Sequence, residues 1–168
     1  MVIWLLGISG SGKSTLGNKL KVYFDENNVR SFILDGDTVR DFFDGDLGYT
    51  PDERRQNIKR ILLSAFVLEK NGVIPIICNI SPFESLRQFA REKLDDYVQI
   101  YLEKSLEEAQ KIDVKNIYKD NVNVTPIVGL DVEFEPPKKN ELVLNVESET
   151  ADVSAGKIIA YLTNRDTK

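Results

Sequence analysis

The chain has 168 residues, which is the length of one domain and too short for two full-sized enzymatic domains. Hydrophobic residues make up 42% of it and charged residues 29%, so its interior can be large enough to need no disulfide or structural metal. The 22 basic and 27 acidic residues give a net charge of −5, which argues against nucleic acid or an anionic membrane as a partner. The absence of histidine excludes Ser-His-Asp and Cys-His catalysis and the common zinc sites.

In chain order, short apolar runs alternate with longer amphipathic stretches, which predicts strands alternating with helices. The predicted strands are residues 2–6, 31–34, 73–78, 97–102 and 142–146, and the predicted helices are residues 13–27, 51–70, 85–94, 106–111 and 149–162. This order is typical of an α/β domain with a mainly parallel sheet and right-handed crossovers, here a single domain over residues 1–168. No apolar run reaches the roughly 20 residues that span a bilayer, so we expect a cytoplasmic protein.

Two stretches interrupt the alternation. Residues 41–51 are rich in Asp, Gly and aromatic residues, which indicates a surface loop that leads into a helix with Pro51 near its start. Residues 113–140 are polar and lack periodicity, and a stretch of that length in a compact domain is more often a functional lid than an idle connection. We therefore expect a mobile lid there. The lone cysteine, Cys78, lies in an apolar run and is expected to be buried and inert.

The strongest functional signal directly follows the first strand. Residues 7–14 read GISGSGKS and fit the phosphate-binding pattern GxxxxGK[ST], with a helix after them as that motif requires. The glycines allow backbone N–H groups to point at phosphate oxygens, Lys13 would reach the β- and γ-phosphates of ATP, and Ser14 would ligate Mg²⁺. The predicted ATP-binding residues are Gly7, Ser9, Gly10, Ser11, Gly12, Lys13, Ser14 and Thr15.

Two carboxylates, Asp35 and Asp37, follow the second strand and flank Gly36. Ligands of parallel sheets bind at the carboxyl ends of the strands, so we expect both aspartates beside the phosphate-binding loop. Either one could accept the proton of an attacking hydroxyl or position Mg²⁺, and we assign the metal to Ser14 and Asp35 and catalysis to Lys13, Asp35 and Asp37. A turn in which Asp37 caps the following helix is an equally good interpretation of Asp37.

Positive charge recurs after the strand ends. The third strand ends in Asn79 and carries no acid, so the metal and base roles fall on the two aspartates. Arginines occur in and after the segments that follow the strands, and each alone would be a surface residue paired with a neighbouring acid. Together they predict an anion-binding wall for a phosphorylated acceptor. They are Arg40, Arg54, Arg60, Arg87 and Arg91.

Several ordered motifs resemble the adenylylsulfate kinases, P-loop kinases that transfer the γ-phosphate of ATP to the ribose 3′-hydroxyl of adenylyl sulfate. The resemblance covers nearly the whole chain and comprises the phosphate-binding loop, LDGDTVR (34–40), DLGYTPDERRQNIKR (46–60), NISPF (79–83) and GLDVEFEPP (129–137). It implies a P-loop NTPase three-layer sandwich, with a five-stranded sheet, helices on both faces and a lid. It also implies Mg²⁺ dependence and a homodimer.

Position by position, the resemblance also implies the acceptor site. Asp35 and Asp37 would lie near the attacking hydroxyl, with Asp44 at the acceptor side. The ribose and phosphate would meet Arg40, Arg54 and Asn57, the base pocket would be lined by Ile80, Ser81 and Phe83, and Lys115 would be a lid lysine.

Departures from the family pattern cluster on the acceptor side. Ile127 stands where the family usually has a phenylalanine that stacks on the acceptor's adenine, and Asp44 replaces a usual asparagine. In the lid, Ile112, Val114 and Asn116 replace an arginine, a proline and a glycine. An alternative acceptor is therefore another small anionic nucleotide, such as cytidine diphosphoramidate in capsule biosynthesis. A regulatory module that binds ATP without transferring phosphate is less favoured, because it needs no acceptor wall, and a GTPase is disfavoured because no NKxD segment is present.

Overall fold

The computed structural model describes residues 1–112 and 126–165. Its elements in chain order are β1 (Val2–Leu6), α1 (Lys13–Glu26), β2 (Ser31–Asp35), α2 (Gly36–Phe42), α3 (Pro51–Lys70), β3 (Ile74–Cys78), α4 (Glu84–Lys93), β4 (Tyr97–Glu103), α5 (Leu106–Ile112), β5 (Leu142–Asn145) and α6 (Ala151–Arg165). The strands form one sheet in the order β2-β3-β1-β4-β5, and every pairing in it is parallel.

Alternate residues of the central strand β1 enter two separate cores, because successive side chains of a strand point to opposite faces of the sheet. Val2, Trp4 and Leu6 pack with apolar residues of α3 and α4, whereas Ile3 and Leu5 pack with apolar residues of α1 and α6. Helices therefore cover both faces of the sheet, and the predicted three-layer α/β sandwich is confirmed. Among the described residues, no helix is long and apolar enough to cross a membrane.

The register places the ends of β1 and β2 at the same edge of the sheet, with β3 between them. Cys78, the last residue of β3, pairs with Leu5 of β1 on one side and with Asp35 of β2 on the other. The phosphate-binding loop begins two residues after Leu5. It therefore lies at the same edge of the sheet as Asp35, with the end of β3 between them. Cys78 itself is buried, and burial, reinforced by the nearby Asp35 carboxylate, raises the pKa of its thiol to about 12.

All five predicted strands and five predicted helices are present, with ends displaced by at most three residues. The helix α2 was not among the predicted helices, and only the alternative in which Asp37 caps a following helix allowed for it. The interpretation of Asp37 as its cap is wrong: Asp35 is the N-cap and accepts a hydrogen bond from the N–H of Asp37 at 2.9 Å. Helix α3 begins as expected, with Pro51 in its first turn after a Thr50–Glu53 capping box.

Residues 126–140 of the predicted lid are anchored to the body of the domain. Val128 and Val132 are buried in the core on the α3 and α4 side. The Glu135 N–H donates to the carbonyl of Pro82 at 3.0 Å, and Gln99 donates from its side chain to the carbonyl of Lys139 at 2.8 Å. A lid that moved as a whole would have to break these contacts, and residues 113–125 of the predicted lid lie outside the described residues.

Candidate active site

The phosphate-binding loop connects β1 to α1 with left-handed backbone at Gly10 (φ 75°) and Gly12 (φ 89°), a conformation that favours glycine. Gly12 is the N-cap of α1 and provides no side-chain cap, and the first turn of that helix carries no acid. The positive end of the helix dipole thus faces the loop. The Lys13 ammonium lies over the same loop and donates to the carbonyls of Gly7 at 2.9 Å and Ile8 at 2.7 Å.

Ser14 and Asp35 provide a pair of hard oxygen ligands beside the loop. The Ser14 hydroxyl donates to Asp35 Oδ2 at 3.2 Å. The part of the chain that the structure describes contains no group of three or more His, Cys, Asp or Glu residues placed to hold a metal. Magnesium usually takes only one or two protein ligands and completes its shell with phosphate and water, so the Ser14 and Asp35 pair fits Mg²⁺ in the presence of a nucleotide.

Two guanidinium groups converge on the ring of Tyr49 at the other side of Asp37. The Arg40 and Arg54 guanidinium carbons lie 4.6 and 5.2 Å from the ring centroid. Backbone carbonyls are their close partners: Arg40 donates to those of Gly36 and Gly48 at 3.3 Å, while the carboxylate of Asp37 is 3.9 Å away. The two positive charges therefore lie close to each other, with Asp37 as a longer ion-pair partner of Arg40.

Arg54 is buried beside Arg40, and this environment changes its pKa. It donates to the carbonyls of Tyr49 at 2.8 Å and Pro126 at 2.6 Å, and only 8% of it is exposed. Burial, together with repulsion from Arg40, lowers its pKa below the usual value. Because an anion between the two guanidiniums would relieve this repulsion, the pair is suited to a phosphate or sulfate group.

A cavity of about 460 Å³ opens next to this pair. Tyr49 stands at its wall with 37% of its surface exposed. Asp44, in a left-handed turn (φ 54°), is on the same wall. Its lining residues are Asp37, Arg40, Asp41, Asp44, Gly45, Leu47, Gly48 and Tyr49. Tyr49 was not identified as a site residue from the sequence, although an aromatic side chain in a polar loop before a helix was the available signal.

The remaining predicted acceptor residues lie in the interior. Asn57 is fully buried and donates to the carbonyl of Gly36 at 3.1 Å, so it contacts the turn between the aspartates. Ser81 is buried as well, and Ile80 packs against the core. Phe83 is only 4% exposed, and the Arg55 guanidinium lies 3.8 Å from its ring centroid. Phe83 therefore packs in the core on the α3 and α4 side, and its contact with the acceptor's base stays a prediction.

The predicted wall of five arginines reduces to Arg40 and Arg54. Arg60 forms a bidentate pair with Asp46 at 2.7 Å. Arg91 pairs in the same way with Glu141, at 2.7 and 2.9 Å. Arg87 is 2% exposed and serves structure, donating to Glu84 and to two carbonyls.

Two further positions on the acceptor side are Lys115 and Ile127. Lys115 lies outside the described residues. Ile127, which stands at the family's phenylalanine position, is 6% exposed, and its N–H donates to the Asp131 carboxylate at 2.9 Å.

The parallel sheet with its GKS loop and strand-end aspartate defines a P-loop kinase fold. Shikimate kinase from Aquifex aeolicus shares this fold, with a TM-score of 0.61 over 99% of both chains at 16% identity. Closer matches define the family. A family model described as adenylylsulphate kinase matches residues 1–145. The adenylyl-sulfate kinase of Staphylococcus haemolyticus is 35% identical over 99% of this chain and 85% of its own length.

Among solved structures, the Mycobacterium tuberculosis APS kinase in complex with AMPPNP and APS superposes with a TM-score of 0.91, at 27% identity and 96% coverage of both chains. The chain belongs to the adenylylsulphate kinase family.

Proposed function

We propose that this protein transfers the γ-phosphate of ATP to the ribose 3′-hydroxyl of adenylyl sulfate (APS). The observation that carries the proposal is the arrangement of two charged sites around one turn. The phosphate-binding loop with Lys13 lies on one side of Asp35 and Asp37, and the pair Arg40 and Arg54 lies on the other. Family membership supports adenylyl sulfate as the acceptor.

On the ATP side, the loop N–H groups, the α1 dipole and Lys13 bind and orient the phosphates. Ser14 and Asp35 would hold Mg²⁺, which when bound neutralises charge on the β- and γ-phosphates. Asp35 is suited to this role because its oxygens are already engaged, Oδ2 by the Ser14 hydroxyl and Oδ1 by the Asp37 N–H.

We assign the acceptance of the hydroxyl proton to Asp37. Its side chain is 64% exposed and borders the cavity, so the attacking 3′-hydroxyl can approach it. The transfer is then an in-line displacement in which the oxygen of the 3′-hydroxyl attacks the γ-phosphorus and ADP leaves.

Arg40 and Arg54 would bind the anionic 5′ group of the acceptor, and Tyr49 would contact its base from the cavity wall. Asp44, Asn57, Ile80, Ser81, Phe83 and Lys115 stay predicted acceptor contacts, with Lys115 on the predicted lid over residues 113–140 that would exclude water from the reaction. A homodimer and a cytoplasmic location also stay predictions.

The test is an acceptor screen with saturating ATP and Mg²⁺, followed by phosphorus NMR to locate the added phosphate. Adenylyl sulfate should become a 3′-phosphorylated product. Transfer to cytidine diphosphoramidate but not to adenylyl sulfate would instead establish the capsule-type alternative, for which the carboxylate of Asp44 on the cavity wall offers a hydrogen-bond acceptor. ADP release with none of the acceptors would indicate a regulatory ATP-binding module.

Two neighbouring arginines of α3 give the screen a matched control. Arg54→Ala should raise KM for adenylyl sulfate about 10- to 100-fold, because charge-assisted hydrogen bonds contribute about 1.5–3 kcal/mol each. Arg55→Ala removes the same side chain one residue further on, where it stacks on Phe83 and donates to Ser85. It should leave KM unchanged, and equal effects of the two substitutions would contradict the assignment of Arg54 to the acceptor.

A further inference from the structure

Asn79, directly after β3, is fixed from both its backbone and its side chain. Its N–H donates to the carbonyl of Leu5 in β1 at 3.3 Å. Its Oδ1 accepts two hydrogen bonds from Ser81, from the N–H at 2.9 Å and from the hydroxyl at 3.1 Å. Because a backbone N–H can only donate, the amide atom facing Ser81 must be the oxygen, and the Nδ2 group is directed away from it.

Ser81 needs this anchor. It has a left-handed backbone (φ 51°), which is sparsely populated for residues other than glycine and persists only where surrounding contacts impose it. The second anchor is Trp4 in β1, whose indole N–H donates to the Ser81 hydroxyl at 2.7 Å. The orientation of the Asn79 amide is thus set by Ser81, which Trp4 of β1 holds in turn.

The Nδ2 group of Asn79 is in close contact with Gly36, the residue between the two aspartates. A methyl group at position 36 would lie 2.4 Å from Asn79 Nδ2, closer than any van der Waals contact. Gly36 has no left-handed backbone, so nearness to Asn79 explains why glycine is needed there. The carbonyl of Gly36 is held by Asn57 Nδ2 at 3.1 Å and Arg40 Nη1 at 3.3 Å.

We propose that Asn79 is a positioning residue that clamps Gly36 against α3 and thereby fixes the carboxylates of Asp35 and Asp37. The clamp links the strand that leads into the phosphate-binding loop to the turn that bears both aspartates. Because the Asn79 amide also holds Ser81, one side chain positions both a predicted acceptor contact and the two aspartates. The inference rests on the proposed function, because it assigns Asn79 a part in that reaction.

The test is a double-mutant cycle on Gly36→Ala and Asn79→Ala, measured by melting temperature and by steady-state kinetics with ATP and adenylyl sulfate. Displacement of reacting groups by about 1 Å can reduce a rate about 100-fold, so Gly36→Ala should lower kcat by roughly that factor. Asn79→Ala should lower kcat about tenfold, and it should also lower the melting temperature by about 2–12 °C, because the buried N–H of Ser81 loses its acceptor at a cost of about 1–3 kcal/mol. It should also raise KM for the acceptor and leave KM for ATP within about twofold, because Lys13 and Ser14 belong to another segment.

The double mutant decides the question. The alanine methyl group at position 36 meets no other atom closer than 3.6 Å apart from the Asn79 amide itself, so removing that amide should relieve the clash. The double mutant should have kcat and a melting temperature close to those of Asn79→Ala alone. Gly156→Ala in α6, where a methyl group meets open space, and Asn71→Ala at the exposed end of α3 are the matched controls and should leave kcat unchanged.

Two results would overturn the inference: independent, multiplicative effects of the two substitutions, or a wild-type kcat in Asn79→Ala. If Gly36→Ala does not fold, recovery of folding in the double mutant supports the clamp, and failure to recover refutes it. If the wild-type protein forms no product from adenylyl sulfate, the proposed function fails while the clamp is still tested. Acceptor-independent ATP hydrolysis and melting temperature should then show the same coupling.

Discussion

Replacement of Arg87 by leucine should remove a buried connection between Ser81 on the acceptor side and Glu135 in the anchored part of the predicted lid. Arg87 is 2% exposed, and its guanidinium donates to the Glu84 carboxylate at 2.7 and 2.9 Å and to the carbonyls of Ser81 at 2.5 Å and Glu135 at 2.6 Å. Leucine fills part of the space but leaves a half-buried carboxylate and two carbonyls without this donor.

Breaking a buried ion pair by removing one partner costs about 3–5 kcal/mol. Each kcal/mol lowers the melting temperature of a domain of this size by about 2–4 °C, so Arg87→Leu should lower it by about 6–20 °C. The lower half of that range is expected, because Gln88 still donates to Glu84 at 2.7 Å. The assay is thermal unfolding followed by circular dichroism at pH 7.

The loss should also depend on pH. Burial opposes ionisation of Glu84, but hydrogen bonds from Gln88 and Arg87 hold its pKa below the usual 4.5. A carboxyl group with a depressed pKa in the folded state stabilises the protein above its unfolded pKa, and this contribution disappears as pH falls through the folded value. The difference between wild type and Arg87→Leu should therefore be largest near pH 7 and shrink below pH 4.5.

The exposed ion pair of Lys70 and Asp95 provides the control for this prediction. Lys70→Ala should leave the melting temperature nearly unchanged, because exposed ion pairs contribute little to stability. If Arg87→Leu melts within 2 °C of the wild type, or is as destabilised at pH 4 as at pH 7, the assignment of Arg87 as a buried ionic connector is refuted.

Further predictions concern the phosphate-binding loop and the α1 face. Lys13→Ala should abolish phosphoryl transfer in the acceptor assay while circular dichroism stays unchanged; near-normal turnover would contradict its role. Gly17→Ala should destabilise by about 1–3 kcal/mol in urea, because its methyl group would lie 2.5 Å from Cys78 Sγ, whereas Gly156→Ala should stabilise by up to about 1 kcal/mol. The Cys78 thiol, with its pKa raised to about 12, should resist a disulfide reagent at pH 8 until the protein is unfolded.

Local pattern was sufficient to predict the sheet and the ATP side of the site. The GISGSGKS segment requires a strand before it and a helix after it, and both requirements can be checked within some 25 residues of sequence. Asp35 was likewise identified from its place at a strand end, because parallel strands bring their carboxyl ends to one edge. By contrast, α2 was missed because its start, Asp35-Gly36-Asp37, has the residues typical of a turn.

The sequence could not show which arginines lie at the proposed acceptor site and which stabilise the fold. Arg40 and Arg87 are both followed or preceded by acids within four residues, and both were assigned to the same wall. Their roles differ because of partners far away in the chain: Arg87 reaches the carbonyl of Glu135, 48 residues on, whereas Arg40 lies beside Tyr49 and the cavity. Sequence spacing carries no information about such contacts.

The amino-acid sequence by itself determined the class of this protein, the phosphate-binding loop and the aspartates next to it, because these depend on short patterns of hydrophobicity, glycine and charge. Only the tertiary structure decided which of the predicted acceptor side chains are exposed and which are buried. It placed Phe83 and Asn57 in the interior. It also brought Asn79 against Gly36 across 43 residues of chain, and such a contact exists only once the sheet has formed.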